Sequence, residues 1–352
     1  MNQKIKIIAC MLLLIIVGNN PMQSQEVNAK KIILSHIGDS YQWHITKWGH
    51  TDIAIPLPVI LISKTGGGFS IFMSSKLDEG ETYKNYKIAS DGKYSDKIVE
   101  VNAAGAESRP LDFSLTKNAL ALLINCTILV LIIMYVARWY KKQPLAAPKG
   151  LVGAMEIFIM DIHDSVIKNV IGKGYEKYAP YLLTAFFFIF VNNVMGIIPI
   201  FPGGASTTGN IAVTVVLALC TFFVVSISGT KHYWIDKIWP DVPIWLKIPI
   251  PIFPITEIFG IFSKPFALMI RLFANVMAGH AIILTLTCLI FITVAKGPAI
   301  NTGMTILSVA MAIFMSLLEL LIAYIQAYVF TLLSAVFITL AREEKVKKVE
   351  VN

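Results

Sequence analysis

Five apolar stretches, at 119–137, 180–199, 209–229, 254–295 and 302–340, constrain this chain more than any other feature. A membrane-crossing helix needs about 20 apolar residues, so the first three each suit one crossing. The last two run to about 40 residues, or about 60 Å of helix, which is twice the ~30 Å of a bilayer's hydrocarbon core. Each must lie steeply tilted or bend. Pro265 marks a possible bend in the fourth, since neighbouring groups can satisfy a proline break inside a membrane. Composition agrees with a bilayer environment. Apolar residues make up 56% of the 352 and charged ones only 15%, against roughly 25% charge in globular proteins. The formal charge of +8 is spread along the chain rather than gathered on one basic face, which argues against a nucleic-acid binder.

Ahead of the spans the character differs. Lys4 and Lys6, an apolar run at 7–18 and a polar stretch at 19–25 have the order of a secretory signal, assigned to residues 1–24. Residues 25–117 read as a small exported β-rich domain, with strand-like segments at 31–35, 41–45, 53–63 and 69–73 broken by Gly66-Gly67-Gly68 and Asp91-Gly92. His36, Asp39, His44 and His50 have no tight ligand spacing, and no metal site is assigned to them. Cys10, Cys126, Cys220 and Cys288 each sit in an apolar run outside any C-x-x-C spacing, so neither zinc nor a disulfide is expected.

Lysine and arginine set the expected orientation. Arg138, Lys141, Lys142 and Lys149 follow the first span; Lys231, Lys237 and Lys247 the third; Arg342, Lys345, Lys347 and Lys348 the fifth. The alternate connections are nearly bare, 199–208 having no basic residue and 295–301 only Lys296. The expected fold is therefore an all-α polytopic membrane protein of five transmembrane helices, the last two long and tilted, carrying a small N-terminal extracytoplasmic β-rich domain. Residues 118–344 form the membrane domain and 345–352 a cytoplasmic tail. Between the first two spans, 151–171 mixes apolar residues with Glu156, Asp161, His163, Asp164 and Lys168, which suits an interfacial helix on the cytoplasmic surface with its acids and His163 wetted.

The fourth span contains Glu257, Lys264, Arg271 and His280, and the fifth contains Glu319 and Gln326. Ionisable groups at membrane depth cost several kcal/mol unless paired or hydrated, which makes each a functional suspect. At about 100° per residue, Glu257, Lys264 and Arg271 share one helix face, with Asn275 one turn beyond. Lys264 is expected to reach the headgroups. His280 lies about 13 Å past Arg271. If the two long helices pack antiparallel, His280 and Glu319 come to similar depth, as a proton-passing pair or as a buried contact that only locks the helices. Arg271 stays protonated and can act only as a fixed positive charge. It would favour ionisation of a carboxylate within about 4–6 Å. No acid of its own chain lies at its depth on that face, which points to a carboxylate on another subunit.

The run Ile270-Arg271-Leu272-Phe273-Ala274-Asn275-Val276-Met277-Ala278-Gly279-His280 resembles the signature of subunit a of F-type ATP synthases. Glu257, Ser263-Lys264-Pro265 and Gln326-Ala327-Tyr328-Val329-Phe330 resemble its flanking motifs. The likeness covers about 117–344. It implies a non-catalytic bacterial inner-membrane stator without cofactor or metal, lying against a ring of c subunits with Arg271 facing the ring's carboxylate. Its other partners would be b-type peripheral-stalk subunits, the F1 sector indirectly, and membrane lipid. Asn275, His280, Glu319 and Gln326 would form a periplasmic half-channel and Glu257 would belong to a cytoplasmic one. Two departures stand out. His280 and Glu319 are exchanged relative to many bacterial members, which still supplies one acid and one imidazole, and the exported β domain is additional. A secondary transporter is the rival reading, but no internal repeat of the kind such proteins carry is visible. An intramembrane hydrolase lacks its H-E-x-x-H or G-x-S-x-G motif, and no G-x-x-x-x-G-K-[ST] run provides a nucleotide site.

Overall fold

The computed structural model describes residues 38–48, 51–63, 68–89, 94–101, 107–198, 203–238 and 252–342. The expected signal, the segment at 31–35, His36, His50, Asp91-Gly92, Lys247 and the tail at 345–352 lie outside the described residues.

The N-terminal head is built from three small antiparallel sheets, β1(Gln42–Trp48) with β2(Thr51–Pro56), then β3(Pro58–Ile62) between β4(Phe69–Met73) and β8(Leu111–Asp112), and β6(Ile98–Val101) between β5(Tyr86–Ile88) and β7(Glu107–Ser108). Alternation drives the inner faces together. Val59 and Leu61 of β3 and Phe72 of β4 point into one core with Tyr41, Leu77, Tyr86 and Ile98. Tyr41 donates its hydroxyl proton to Asp112 Oδ2 at 2.5 Å, and burial, then this carboxylate, pushes its phenol well above the usual range. The stretch expected as one strand over 53–63 is two strands in different sheets. Pro56 and Pro58 flank Leu57 and each lacks a ladder donor, so the chain changes sheet there. Ser74 binds the corner, its Oγ accepting from Leu57 N and its N–H donating to Leu57 O, both at 3.0 Å.

No loose linker separates head from membrane. Phe113 and Leu115 donate backbone N–H to Ile60 and Pro58 carbonyls, extending the β3·β8 pairing up to Thr116. That residue then caps helix α1(Lys117–Lys142) by accepting from Ala119 N.

After α1 come α2(Gly150–Met160), continued through a π-helical stretch Asp161–Lys168 and a last turn Asn169–Ile171, then α3(Ala179–Ile197), α4(Ile211–Ser228), the short α5(Lys231–Ile238), α6(Ile252–Thr293) and α7(Pro298–Arg342). Among the described residues, five helices are long and apolar enough to cross a membrane. Their outward faces carry Leu123, Leu131, Val216, Phe223, Phe262, Ile313 and Leu317, all exposed, which only lipid can accommodate over so continuous an area. This is a multi-pass membrane protein. The two long stretches are single helices of 42 and 45 residues, and Pro265 lies inside α6 without ending it.

The C-terminal half of α7 is the centre of the bundle. Ala323, Ala327, Phe330, Ala335 and Ile338 are buried, and its small residues let α3, α4 and α6 approach closely. The helix expected at the interface is docked along one face of the bundle, with Asp164 and Lys168 exposed. Ile162, Val166 and Ile167 are fully buried while Ile157 is exposed. Asp161 Oδ2 accepts the Tyr324 hydroxyl at 2.7 Å, beside an aromatic cluster of Phe158, Phe186, Phe190 and Tyr324. His163 and Asp164 pair at 2.8 Å, half-exposed.

Packing of this cluster sets the bundle's stability. Phe186→Ala empties a fully buried site and should cost about 3 kcal/mol or more, read as a lower denaturation midpoint of the detergent-purified protein. Phe223→Ala, whose ring is exposed, should leave the midpoint within the error of the measurement.

Candidate functional site

Helices α6 and α7 run antiparallel, which brings residues 51 apart in sequence side by side. Asn275 Nδ2 donates to Gln326 Oε1 at 2.7 Å. Farther toward the head, His280 Nδ1 lies 3.2 Å from Glu319 Oε1. The depth arithmetic thus meets its condition, and both pairs line one cavity of about 150 Å³. A cavity of that size with apolar walls stays dry, but polar walls that can give each water two or more partners hold several. Here the second carboxylate oxygen of Glu319 has no hydrogen-bond partner among the described residues.

Close approach at this site depends on Gly279. A Cβ there would sit 2.8 Å from Glu319 Oε1, whereas one on Gly196 would make an ordinary contact 3.5 Å from His280 Nε2. The other side of the cavity comes from α3 and the connection after it. Asn192 and Asn193 project from the middle of an apolar helix and are buried. Asn192 Oδ1 accepts from Asn125 Nδ2 at 3.0 Å and from Thr207 Oγ1 at 2.9 Å, while Thr208 Oγ1 donates to Asn193 Oδ1 at 2.5 Å. Asn192, Asn193, Ser206 and Thr208 line the cavity with His280 and Glu319. Sequence reasoning missed these residues. Their signal was the Asn192-Asn193 pair within an apolar span, where an amide needs a partner as much as a charge does.

Arg271 stands apart. It is exposed, one turn from Asn275 on the side away from the head, and among the described residues it makes no hydrogen bond or ion pair. Its neighbours on that stripe are the exposed Ala267, Ile270, Ala274 and Ala278, mostly small side chains that leave room for another helix to come near.

At the end of the bundle away from the head, Glu257 is ion-paired with Lys237 of α5. The Lys264 ammonium lies 5.3 Å from the centroid of the Phe337 ring, and the residue lines a small cavity with Tyr233 and Pro265. The polar stripe on α6 therefore splits by partner, Glu257 facing α5, Lys264 facing α7, and Arg271 facing outward. Chemically, the cavity offers an acid, an imidazole and two amides to water on one side of a permanent cation. It holds groups able to take up and pass a proton.

Comparison with known proteins agrees with the helical part. The family model described as ATP synthase A chain matches residues 120–339. A second, described as Domain of unknown function (DUF8433), matches residues 32–113. ATP synthase subunit a of Chloroherpeton thalassium is 42% identical over 238 residues, covering 65% of this chain and 67% of that protein. Its counterpart from Chlorobium phaeobacteroides is 43% identical over 237 residues, covering 65% and 66%. The one from Anaeromyxobacter sp. is 36% identical over 239 residues, covering 65% and 54%. The matched segments thus span about two thirds of the first two relatives and about half of the third. With most of its length inside that family model, and its paired polar groups on the helices the model covers, the chain belongs to the ATP synthase A chain family.

Proposed function

We propose that this chain is the proton-conducting stator subunit of a bacterial inner-membrane ATP synthase. Two offset half-channels lead to and from a carboxylate on a rotating c-ring, and Arg271 stands between them. In this reading the head is periplasmic, the C-terminus cytoplasmic, residues 1–24 a signal peptide, 25–117 the exported domain and 118–344 the membrane domain. The b-type stalk subunits are further partners, and the F1 sector, reached indirectly, carries the nucleotide chemistry.

One observation carries the proposal. A largely apolar cavity on which the Asn275–Gln326 and His280–Glu319 pairs converge ends one helical turn from an exposed arginine without a partner in the described chain. Protons from the periplasm reach water in the cavity, where the free oxygen of Glu319 accepts one and His280 steadies the charge through the other oxygen. The amides of Asn275 and Gln326 do not titrate, so they act by orienting water toward the ring. Arg271 cannot give up its proton and therefore blocks a direct run to the cytoplasmic side. A ring carboxylate drawn beside it is held ionised and has released its proton toward the Glu257 side; once past, it takes a new one from the cavity. The small side chains around Arg271 allow that approach.

Arg271→Ala should abolish ATP-driven proton pumping by the reconstituted complex, with pumping at the parental rate as the contrary result. Glu319→Gln should slow proton flux through membranes stripped of F1, and unchanged flux would reduce Glu319 to packing. Gly279→Ala should force the Glu319 carboxylate away from its place beside His280 and lower flux about tenfold, the order expected for a misplaced group, while the complex still assembles.

A further inference from the structure

The head is joined to the cavity by a chain of contacts that conduction through the helices alone does not require. Trp43 of β1, 4% exposed, is packed between Ala121 of α1 and Ala205 of the connection after α3, with Ile55 and Leu120 at its edges. Ala205 begins a short run in which Thr207 and Thr208 are tied down by hydrogen bonds. Its carbonyl accepts from Thr207 N at 3.0 Å, and Gly204 N donates to Met195 O at 3.1 Å. Thr207 and Thr208 then reach Asn192 and Asn193. Ser206 and Thr208 are part of the cavity wall opposite His280 and Glu319.

The head is also fixed rather than tethered. The first N–H groups of a helix lack intrahelical partners, and the head supplies them for α1. Lys117 N donates to Ser40 O at 2.9 Å and Asn118 N to Asp39 Oδ1 at 3.1 Å, while the pairing of β3 runs on to Leu115. The Asp39 carboxylate also suits the positive end of the helix dipole. Trp43 is thereby held at a set height over α1, and through Ala205 it holds the connection down.

We propose that the N-terminal head is a brace for the periplasmic half-channel, with Trp43 as a positioning residue that acts through Ala205 to hold the Ser206–Thr208 segment in the cavity wall. Trp43 is not among the residues that line the cavity. The inference rests on the half-channel reading above.

Two readouts in the full complex test it, in a background lacking the native cysteines. In Ser206→Cys the thiol is expected to react slowly with a membrane-impermeant maleimide added from the periplasmic side. Adding Trp43→Ala should speed that labelling by roughly an order of magnitude and lower passive proton conductance of F1-stripped membranes to a similar degree, and Trp43→Phe should restore both. Ala205→Leu crowds the same contact from the loop side, leaves the head unaltered, and carries the test if Trp43→Ala fails to assemble. Either readout staying at the parental value in an assembled complex overturns the brace. Glu319→Gln in the same conductance assay separates the two ideas. Loss of flux there with parental behaviour in Trp43→Ala defeats the brace alone, whereas parental flux in Glu319→Gln defeats the half-channel reading beneath it.

Discussion

A polar group inside hydrocarbon must find a partner or meet water, because leaving it bare costs several kcal/mol. That requirement organises the membrane part of this protein. Asn275 and Gln326 join α6 to α7, as do His280 and Glu319. Asn125, Asn192 and Thr207 tie α1, α3 and the connection between α3 and α4 into one network. Asn192, Asn275, His280, Glu319 and Gln326 hold the helices in register and also line the cavity, so in the proposed reading packing and conduction draw on shared contacts. Arg271 is the exception, exposed on a stripe of small residues.

The long helices explain why such an arrangement can exist. A helix matched to the bilayer would offer about 20 residues, enough for one packed face. With 42 and 45 residues, α6 and α7 can bury one side against α3 and α4 and still present a long second side outward. The buried side of α7 is rich in Ala, Ser and Thr, so its neighbours come close without large side chains having to interleave. On the outward side, Ala267, Ala274 and Ala278 are exposed, and in the proposed reading they would do the same for a partner helix.

Much of this was legible in the residues, and the limits have physical causes. Span number and length follow from uninterrupted apolar runs, and the depth match of His280 with Glu319 follows from a fixed rise per residue in an antiparallel hairpin. Partners on the other helices do not follow from one helix's periodicity. Glu257, Lys264 and Arg271 share a spacing of seven, yet they meet α5, α7 and an open face, because which neighbour stands opposite each turn depends on where α5 and α7 lie. The docking of 151–171 was obscured by its mixed composition. Its apolar side is buried and Asp161 is satisfied by a tyrosine 163 residues away, a contact no local pattern encodes. Asn192 and Asn193 were visible but uncharged, and so drew less notice than the acids although their need for partners is similar. In the head, Pro56 and Pro58 announced the break between β2 and β3, whereas the seat of Trp43 on α1 depends on tertiary packing alone.

The distance from the Arg271 guanidinium to the nearest ring carboxylate, measured in a density map of the assembled ATP synthase, decides between a working charge and an incidental one. A separation within about 6 Å on the Ala267–Ala278 face is expected. An Arg271 side chain turned to lipid, with every ring carboxylate well beyond that range, would contradict the assignment of this residue as the charge that separates the two half-channels.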